Sequence, residues 1–336
     1  MHSMPPFPRP VAGCSSKTRR IGPSRLIGLF GLLLPAALAA DRALQVQQHT
    51  TPSGWSIQHG GQTLFTYAFA PGKFKPYVQQ LATVDGFNLL RDAPHDHLHH
   101  HALMYAIRVN GINFWEEAPG AGVQKPVQTS EPRLGANPAG LPQASLTQVL
   151  HWLAPQDAFL ADTTPKALLV ERRTLTLTVD EPGQEVALRW RSQFEVGAAT
   201  NEVTLGGSSY FGLGVRFLEE LDPLAGHFTA TGPLDLANNR QDVTQHPWAA
   251  VAFKRAERPV TFAIFGSSRN AGGAPWFFSM KTPFAYLSAT QHLDQQPRNY
   301  VRGDRFQLDY LVVARSGLPG AAELDARHQR WLEEAP

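Results

Sequence analysis

Apolar and polar residues alternate with a period of two along much of the chain. In EVALRWRSQFEV, residues 185–196, Leu188 and Trp190 share one face and Arg189 lies on the other. RTLTLTV, residues 173–179, shows the same alternation. Because successive side chains of a strand point to opposite faces, this pattern predicts half-buried β-strands.

Turn signals separate the predicted strands. Asn110-Gly111 lies between two apolar runs, and it favours a two-residue hairpin because a type I′ turn needs positive φ at both positions. EPGQ, residues 181–184, marks another turn. Helical spacing of apolar residues is clearest after Pro319, in PGAAELDARHQRWLEE. The pattern predicts an all-β fold: an antiparallel, supersandwich-like β-sandwich with one C-terminal helix.

Residues 1–40 have the three-part layout of a secretory signal. A basic cluster at 17–25 precedes an apolar run at 26–40, and Ala37-Leu38-Ala39 fits the small-x-small cleavage rule. The run is shorter than the roughly 20 residues that a membrane-spanning helix needs. We expect cleavage near Ala39 or Ala40 and a mature protein in the periplasm or outside the cell.

Residues 41–336 are expected to form one large β-sandwich domain. The Pro- and Gly-rich segment 119–142 is interpreted as a surface excursion, because alternating strands continue on both sides of it. The single cysteine, Cys14, would be lost with the leader, so no disulfide is expected. With 30 basic and 28 acidic residues and no basic stripe, nucleic acid is not an expected partner. Beyond the leader no apolar stretch is long enough to cross a bilayer.

The segment PHDHLHHHAL, residues 94–103, concentrates histidine. It places five of the chain's 13 histidines within seven positions, at 95, 97, 99, 100 and 101. Imidazole binds zinc, copper, iron or nickel, so His97, His99 and His100 could hold a divalent metal. Side chains of an extended segment alternate faces, however, and five such rings cannot all converge. We therefore expect weak, adventitious metal binding and no required cofactor.

Acid/base chemistry on a sugar is a second interpretation of the same histidines. Imidazole titrates near neutrality and both donates and accepts hydrogen bonds. Trp115 supplies an aromatic surface nearby, and Glu116 and Glu117 supply carboxylates. One of the histidines would serve as acid or base with one of these glutamates as its partner, a contribution of about 10²–10⁴-fold in rate.

The block from residue 75 to residue 117 is the most specific motif in the chain. Its elements are Lys75-Pro76-Tyr77, Asp96-His97 with His99, His100 and Leu103, and Asn110-Gly111 with Phe114-Trp115. The block resembles the signature of the family catalogued as methane oxygenase PmoA-like. Departures from the family's pattern are Leu98 for proline, His101 for arginine and Ala102 for glycine. Weaker matches follow at SYFGLGVRF, with Arg216, and SSRNAGGAPWFFSM, with Trp276.

The resemblance implies an exported bacterial protein of a family whose function is unknown. Members occur in bacteria that degrade polysaccharides, which suggests a carbohydrate substrate. The chain is also similar, at the level of fold, to galactose-mutarotase-like supersandwiches, in which histidines, an arginine and carboxylates bind and deprotonate a sugar. Methane monooxygenase activity is not expected, because that subunit is an integral membrane protein.

Together these observations predict an exported protein that binds a carbohydrate or other polar small molecule. If it is an enzyme, we expect an acid/base isomerase, lyase or hydrolase. The catalytic candidates are His97, His99, His100, Glu116 and Glu117. The substrate-binding candidates are Lys75, Tyr77, Asp92, His101, Trp115, Arg216 and Trp276, with Lys75 and Arg216 holding hydroxyl or carboxylate groups.

Three further expectations accompany this interpretation. We expect His97, with His99 or His100, to line one pocket together with Tyr77 or Lys75. One alternative is a metal-dependent enzyme that uses His97, His99 and His100 as ligands. The other is a sugar-binding module without catalytic activity.

Overall fold

The computed structural model describes residues 43–50, 53–158 and 166–334. The predicted leader at 1–40, with Cys14 and the expected cleavage site, lies outside the described residues. Within those described residues, no helix combines the length and hydropathy needed to span a membrane.

Strands make up most of the described chain. In chain order they are β1 (Gln45–Thr50), β2 (Ser53–His59), β3 (Gln62–Ala68), β4 (Tyr77–Leu81), β5 (Leu103–Ala106), β6 (Arg108–Val109), β7 (Ile112–Asn113), β8 (Val123–Thr129), β9 (Arg133–Ala136), β10 (Pro142–Leu153), β11 (Leu169–Asp180), β12 (Glu185–Val196), β13 (Glu202–Gly206), β14 (Gly212–Arg216), β15 (Ala225–Thr229), β16 (Gly232–Pro233), β17 (Gln241–Gln245), β18 (Trp248–Phe253), β19 (Val260–Gly266), β20 (Trp276–Met280), β21 (Tyr286–Thr290), β22 (Arg298–Val301) and β23 (Arg305–Ser316). The described helices are α1 (Pro155–Ala158), a 3₁₀ helix (Glu219–Leu224) and α2 (Ala321–Glu334).

The described strands form three antiparallel sheets. One has nine strands in the order β1-β2-β3-β4-β5-β14-β21-β20-β17. The second has ten strands: nine in the order β16-β15-β18-β19-β23-β12-β11-β10-β8, and β9, which also pairs with β10. The third is a small sheet of β22-β13-β6-β7. The prediction of an all-β antiparallel sandwich with a C-terminal helix is confirmed.

The core lies between the two large sheets. Tyr105 of β5 projects from the nine-stranded sheet and packs against Trp152 of β10 and Phe194 of β12, with ring centroids 5.9 Å away in each case. All three side chains are buried. Burial of large aromatic rings between the layers is a main source of stability in a chain with no disulfide to rely on.

Helix α2 covers part of the outer face of the ten-stranded sheet. Leu324, His328 and Trp331, which recur at helical spacing, are its buried residues. Leu324 and Trp331 belong to a cluster with Trp248 and Leu311 of the sheet. The apolar stripe of the helix thus docks on the sheet, as its spacing predicts.

The hairpin predicted at Asn110-Gly111 is present. Val109 of β6 pairs with Ile112 of β7, and the two turn residues have φ values of 51° and 78°. The second turn, 181–184, joins β11 to β12. Both turns therefore form where the sequence predicts them.

The segment 119–142, interpreted from its sequence as a surface excursion, contains β8 and β9. Both strands pair with β10, and the register between β8 and β10 shifts at the pairing of Pro126 with Leu150. A proline fits at a sheet edge or an irregularity, since no ladder hydrogen bond is required of it there. The residues of β9 are exposed, which explains why their pattern resembles that of a loop.

Candidate functional site

The outward face of the nine-stranded sheet carries the candidate site. Leu213 of β14 lies opposite Tyr105, whose ring points into the core. Because successive side chains alternate, Gly214 and Arg216 take the outward face. Across the neighbouring strands the same face carries Tyr286, Ser288, Phe278 and Met280.

A cavity of about 610 Å³ opens on this face, and we call it the three-histidine cavity. His97, His99 and His100 line it, as predicted, together with Trp115 and Glu116. Its remaining walls come from distant segments and include Ser208, Ser209, Tyr210, Phe211, Arg240, Gln241, Phe278, Met280, Pro283 and Phe284. The cavity therefore combines imidazoles, one carboxylate and several aromatic rings.

The histidine segment is a pair of turns and not an extended segment. The amide of His97 donates to the carbonyl of Pro94, and the amide of His100 donates to the carbonyl of His97, each at 2.9 Å. A turn places residues three apart on one side of the chain. The rings of His97 and His100 consequently stack, with centroids 4.5 Å apart, instead of lying on opposite faces.

The three rings form a compact group in which His100 is the most buried. The His99 ring meets the His100 ring edge-on at 4.5 Å, and His97 and His99 are 5.9 Å apart. Burial, with smaller effects from the neighbouring histidines, lowers the pKa of His100 to about 2. His100 is therefore a neutral imidazole at physiological pH.

The metal-ligand alternative requires side chains that converge on one point. Among the described residues, no group of three or more His, Cys, Asp or Glu side chains is placed to hold a metal ion. The packing of the rings of His97, His99 and His100 face-to-face and edge-to-face accounts for this. Metal binding by these residues stays a prediction to be tested by metal analysis.

His99 and Glu116 form the most accessible acid/base pair of the cavity. The distance between His99 Nε2 and Glu116 Oε2 is 3.3 Å, and their side chains are 23% and 45% exposed. Burial lowers the pKa of His99, although the charge of Glu116 opposes that change. A neutral imidazole beside a carboxylate, open to solvent, has the arrangement of a general base with an orienting partner.

Next to this pair lies a cluster that we call the buried ion cluster, formed by Lys75, Tyr77, Asp92, His101 and Glu117. Lys75 Nζ donates to Glu117 Oε1 at 2.7 Å, and His101 Nε2 lies 3.0 Å from the same oxygen. His101 Nδ1 is 2.7 Å from Asp92 Oδ1, and the Tyr77 hydroxyl donates to Asp92 Oδ2 at 2.9 Å. The rings of Tyr77 and His101 stack at 4.3 Å. Two cationic and two anionic groups thus compensate one another.

The pKa shifts in the buried ion cluster follow from these contacts. Burial lowers the pKa of Lys75, partly offset by Glu117. Burial would raise the pKa of Glu117, but the contacts with His101 and Lys75 prevail and lower it to about 2. Burial likewise opposes charge on His101, yet Asp92 and Glu117 raise its pKa. The two carboxylates on either side of His101 thereby favour its cationic form.

The structure does not bring every predicted residue into the cavity. Neither Tyr77 nor Lys75 lines it, so the expectation that one of them shares the pocket is wrong. The Tyr77 hydroxyl donates a hydrogen bond to Asp92 instead, and the Lys75 ammonium donates one to Glu117. Trp276 also lies apart, where its ring stacks on that of His292 at 4.3 Å.

Arg216 lies beside the cavity wall, and its guanidinium carbon is 3.2 Å from the centroid of the Phe284 ring. Tyr210, Phe278 and Phe284 form that wall but were not among the predicted site residues. In the sequence they look like core aromatics of strands and loops. Only the order β14-β21-β20 brings them to the histidine segment, and no local pattern encodes that order.

Comparison with known proteins identifies the family of the chain and finds solved structures that are similar over part of their length. Residues 54–329 match the family described as "Family of unknown function (DUF6807)". None of the curated proteins matches the chain.

Three solved glycoside hydrolases are similar in part. The alpha-galactosidase AgaB of Geobacillus stearothermophilus is 12% identical, with a TM-score of 0.45 over 82% of this chain and 41% of the other. The galactosidase domain of the alpha-galactosidase-sucrose kinase AgaSK is 12% identical, with a TM-score of 0.44 over 81% and 42%. A Glycoside Hydrolase Family 97 enzyme from Pseudoalteromonas sp. strain K8 is 9% identical, with a TM-score of 0.39 over 82% and 34%.

The chain spans less than half the length of these solved chains. The family match, in contrast, covers most of the chain, including β14, the histidine segment and both glutamates. The chain therefore belongs to the family of unknown function DUF6807.

Proposed function

We propose that the protein binds a carbohydrate in the three-histidine cavity and carries out acid/base chemistry on it. The observation that carries this proposal is the pairing of His99 with Glu116 at the open side of an aromatic-walled cavity. Its volume of about 610 Å³ is within the range of small-molecule sites, roughly 300–1,000 Å³. A sugar of one or two units fits such a space.

The aromatic walls suit the apolar faces of a sugar ring. Trp115, Tyr210, Phe278 and Phe284 line the cavity, and planar rings pack well against C–H groups. Hydroxyl-bearing Ser208 and Ser209 line it as well. Apolar surface for the ring and a few polar groups for its hydroxyls make up the usual composition of a site for a polar small molecule.

In the proposed chemistry His99 accepts a proton from a hydroxyl or an activated C–H group of the sugar. The imidazolium that forms is stabilised by the carboxylate of Glu116, and the proton is returned at a later step. His100, neutral because of its burial, provides hydrogen-bonding groups without adding charge. Isomerisation, elimination and hydrolysis can all use such a pair.

The test combines binding with product analysis. Mono- and oligosaccharides are screened by thermal shift and calorimetry, and bound sugars are then incubated with the protein and analysed for products. We expect His99→Gln and Glu116→Gln to lose turnover by about 10²-fold or more while sugar binding persists. Gln307→Ala, on the opposite sheet, is the control and keeps full activity.

The same measurements separate the alternatives. Binding with no product in the wild type would establish a sugar-binding module and contradict the catalytic part of the proposal. Loss of activity on chelation, together with stoichiometric metal in protein purified without an affinity column, would favour the metal-dependent alternative. No binding to any sugar would contradict the proposal as a whole.

A further inference from the structure

Arg216 is a buried cation whose guanidinium has no hydrogen-bond or ion-pair partner among the residues that the structure describes. The residue is 3% exposed, and its Nε and Nη1 atoms are both buried without a hydrogen bond. A buried charge normally requires a counter-charge and hydrogen bonds, because desolvation costs several kcal/mol. The lack of a hydrogen-bonding or ion-pair partner for the buried guanidinium of Arg216 therefore needs a physical explanation.

Arg173 shows how this fold treats a buried arginine that serves stability. Arg173 is also buried, but its guanidinium pairs with both oxygens of Glu171 and with Gln124. It also donates to the Tyr67 hydroxyl and to the carbonyl of Pro76. Every nitrogen of Arg173 has a partner, which is what a structural role requires. Arg216 has no such set.

The guanidinium of Arg216 lies directly behind the lining of the three-histidine cavity, against the ring of Phe284. Phe284, which lies against the guanidinium, lines the cavity, and so do Tyr210 and His100. The hydroxyl of Tyr210 and Nδ1 of His100 are also buried without hydrogen-bond partners. Two polar groups of the cavity lining and the neighbouring guanidinium, which acts on both of them electrostatically, thus lack hydrogen-bond partners.

No carboxylate of the described chain neutralises Arg216. Asp222 and Asp96 are the acidic groups that act on it through space, but neither forms an ion pair with it. Asp222 Oδ1 accepts a hydrogen bond from the amide of Ala285, and Asp96 Oδ2 lies 3.0 Å from His97 Nδ1. The positive charge of the Arg216 guanidinium consequently remains available to pair with a negatively charged group of a ligand.

We infer that Arg216 binds a carboxylate of the ligand, so that the carbohydrate is an acidic one, such as a uronic acid or an oligosaccharide that contains it. The inference rests on the proposed function, because it assumes a sugar in the three-histidine cavity. A carboxylate matches the planar fork of the guanidinium and accepts two hydrogen bonds from it. A neutral hydroxyl would leave the buried charge uncompensated. The Tyr210 hydroxyl of the cavity lining supplies a further donor.

Calorimetry with matched pairs of sugars tests the inference. Galacturonate and glucuronate are compared with galactose and glucose, with acetate and a sulfated galactose as additional ligands. We expect the dissociation constant of each uronate to be lower than that of its neutral counterpart by a factor of about ten or more, because a charge-assisted hydrogen-bond pair contributes about this much to affinity. We expect Arg216→Gln to remove this preference and Arg216→Lys, which keeps the charge but not the fork, to weaken it.

Arg240 provides the matched control, because it lines the same cavity but is exposed at its rim. We expect Arg240→Gln to leave the uronate preference in place. Arg216→Gln removes an uncompensated buried charge, so we expect it to fold with unchanged or higher stability in urea unfolding.

The outcomes distinguish this inference from the proposed function. Equal binding of neutral and acidic sugars overturns the inference and leaves the proposed function standing. Loss of the preference in Arg240→Gln but not in Arg216→Gln overturns it too. If acetate or the sulfated sugar binds as tightly as the uronates, the inference that the ligand is a carboxylate-bearing sugar is overturned. If no sugar of either kind binds, both proposals fail together.

Discussion

Glu116 and Glu117 are adjacent in the chain but lie in different electrostatic environments. The side chain of Glu116 is 45% exposed and faces His99, whereas that of Glu117 is 16% exposed and contacts both Lys75 and His101. Adjacent residues with such different contacts allow the same substitution to be compared at both positions.

We expect Glu117→Gln to lower the free energy of unfolding by about 3 kcal/mol, because it leaves the buried ammonium of Lys75 without its counter-charge. Glu116→Gln, the matched control, should change stability by less than about 0.5 kcal/mol, as exposed pairs do. Urea unfolding of both variants measures the difference. Equal effects at the two positions would contradict the assignment of Glu117 to the buried ion cluster.

Acid should destabilise the protein through Glu117. Its pKa is lowered from 4.5 to about 2 in the folded state, so the stability it contributes is fully present above pH 4.5 and is lost as pH falls towards 2. His101, whose pKa is raised, acts in the opposite sense and loses its contribution as pH rises through its folded-state pKa. Urea unfolding between pH 7 and pH 3 should therefore show a fall in stability that is smaller in Glu117→Gln. An identical acid dependence in both proteins would count against this prediction.

At the residue scale, the sequence predicts the polar residues that line the three-histidine cavity better than the aromatic ones. His99, His100 and Glu116 are recognisable because several titratable side chains in a short segment are unusual. Tyr210 and Phe284 were missed, since an aromatic residue in a strand or loop has the same local pattern whether it faces the core or a cavity. Which of Glu116 and Glu117 meets Lys75 is also a matter of long-range packing.

At the scale of elements, β14 contributes a glycine where the cavity wall needs space. A Cβ at Gly214 would overlap the Tyr286 hydroxyl and come within 2.9 Å of the Trp115 ring. The absence of a side chain at this position therefore lets Trp115 reach the cavity.

We expect Gly214→Ala to destabilise the protein by about 1–3 kcal/mol, as overpacking does, and to weaken sugar binding by displacing Trp115. Gly206→Ala is the control, because a Cβ at Gly206 of β13 would meet nothing within 4 Å. Thermal unfolding and calorimetry of both variants provide the measurement. Normal stability and binding in Gly214→Ala would show that Trp115 is not held in place by this contact.

Elements with a strong hydrophobic periodicity could be predicted from the sequence. Strands that form only because a neighbouring strand offers an edge for pairing could not. The alternation in β11 and β12 and the spacing in α2 reflect one buried face each, so local sequence specifies them. The strands β8 and β9 within 119–142 depend on the edge that β10 offers, which a local pattern does not reveal. The turns of the histidine segment likewise depend on two backbone hydrogen bonds, from the His97 amide to the Pro94 carbonyl and from the His100 amide to the His97 carbonyl, that composition does not indicate.

At the scale of the whole molecule, the sequence predicts export and removal of the leader. N-terminal sequencing of protein recovered from the periplasm or the medium should give a start near Ala40 or Asp41. A lipid-modified start at Cys14 would contradict this prediction and would instead anchor the protein to a membrane. Retention of the full chain in the cytoplasm would contradict it as well.

The central claim is that a carbohydrate binds in the three-histidine cavity, and histidine side-chain NMR tests it most directly. With ¹⁵N-labelled histidine, and single His→Gln variants for assignment, the imidazole signals are followed while a sugar from the binding screen is added. We predict shifts for His97, His99 and His100, with no change for His328, which is buried where α2 packs on the ten-stranded sheet. Shifts confined to His49, which lines a separate cavity near β2, or no shifts at saturating sugar, would contradict the account.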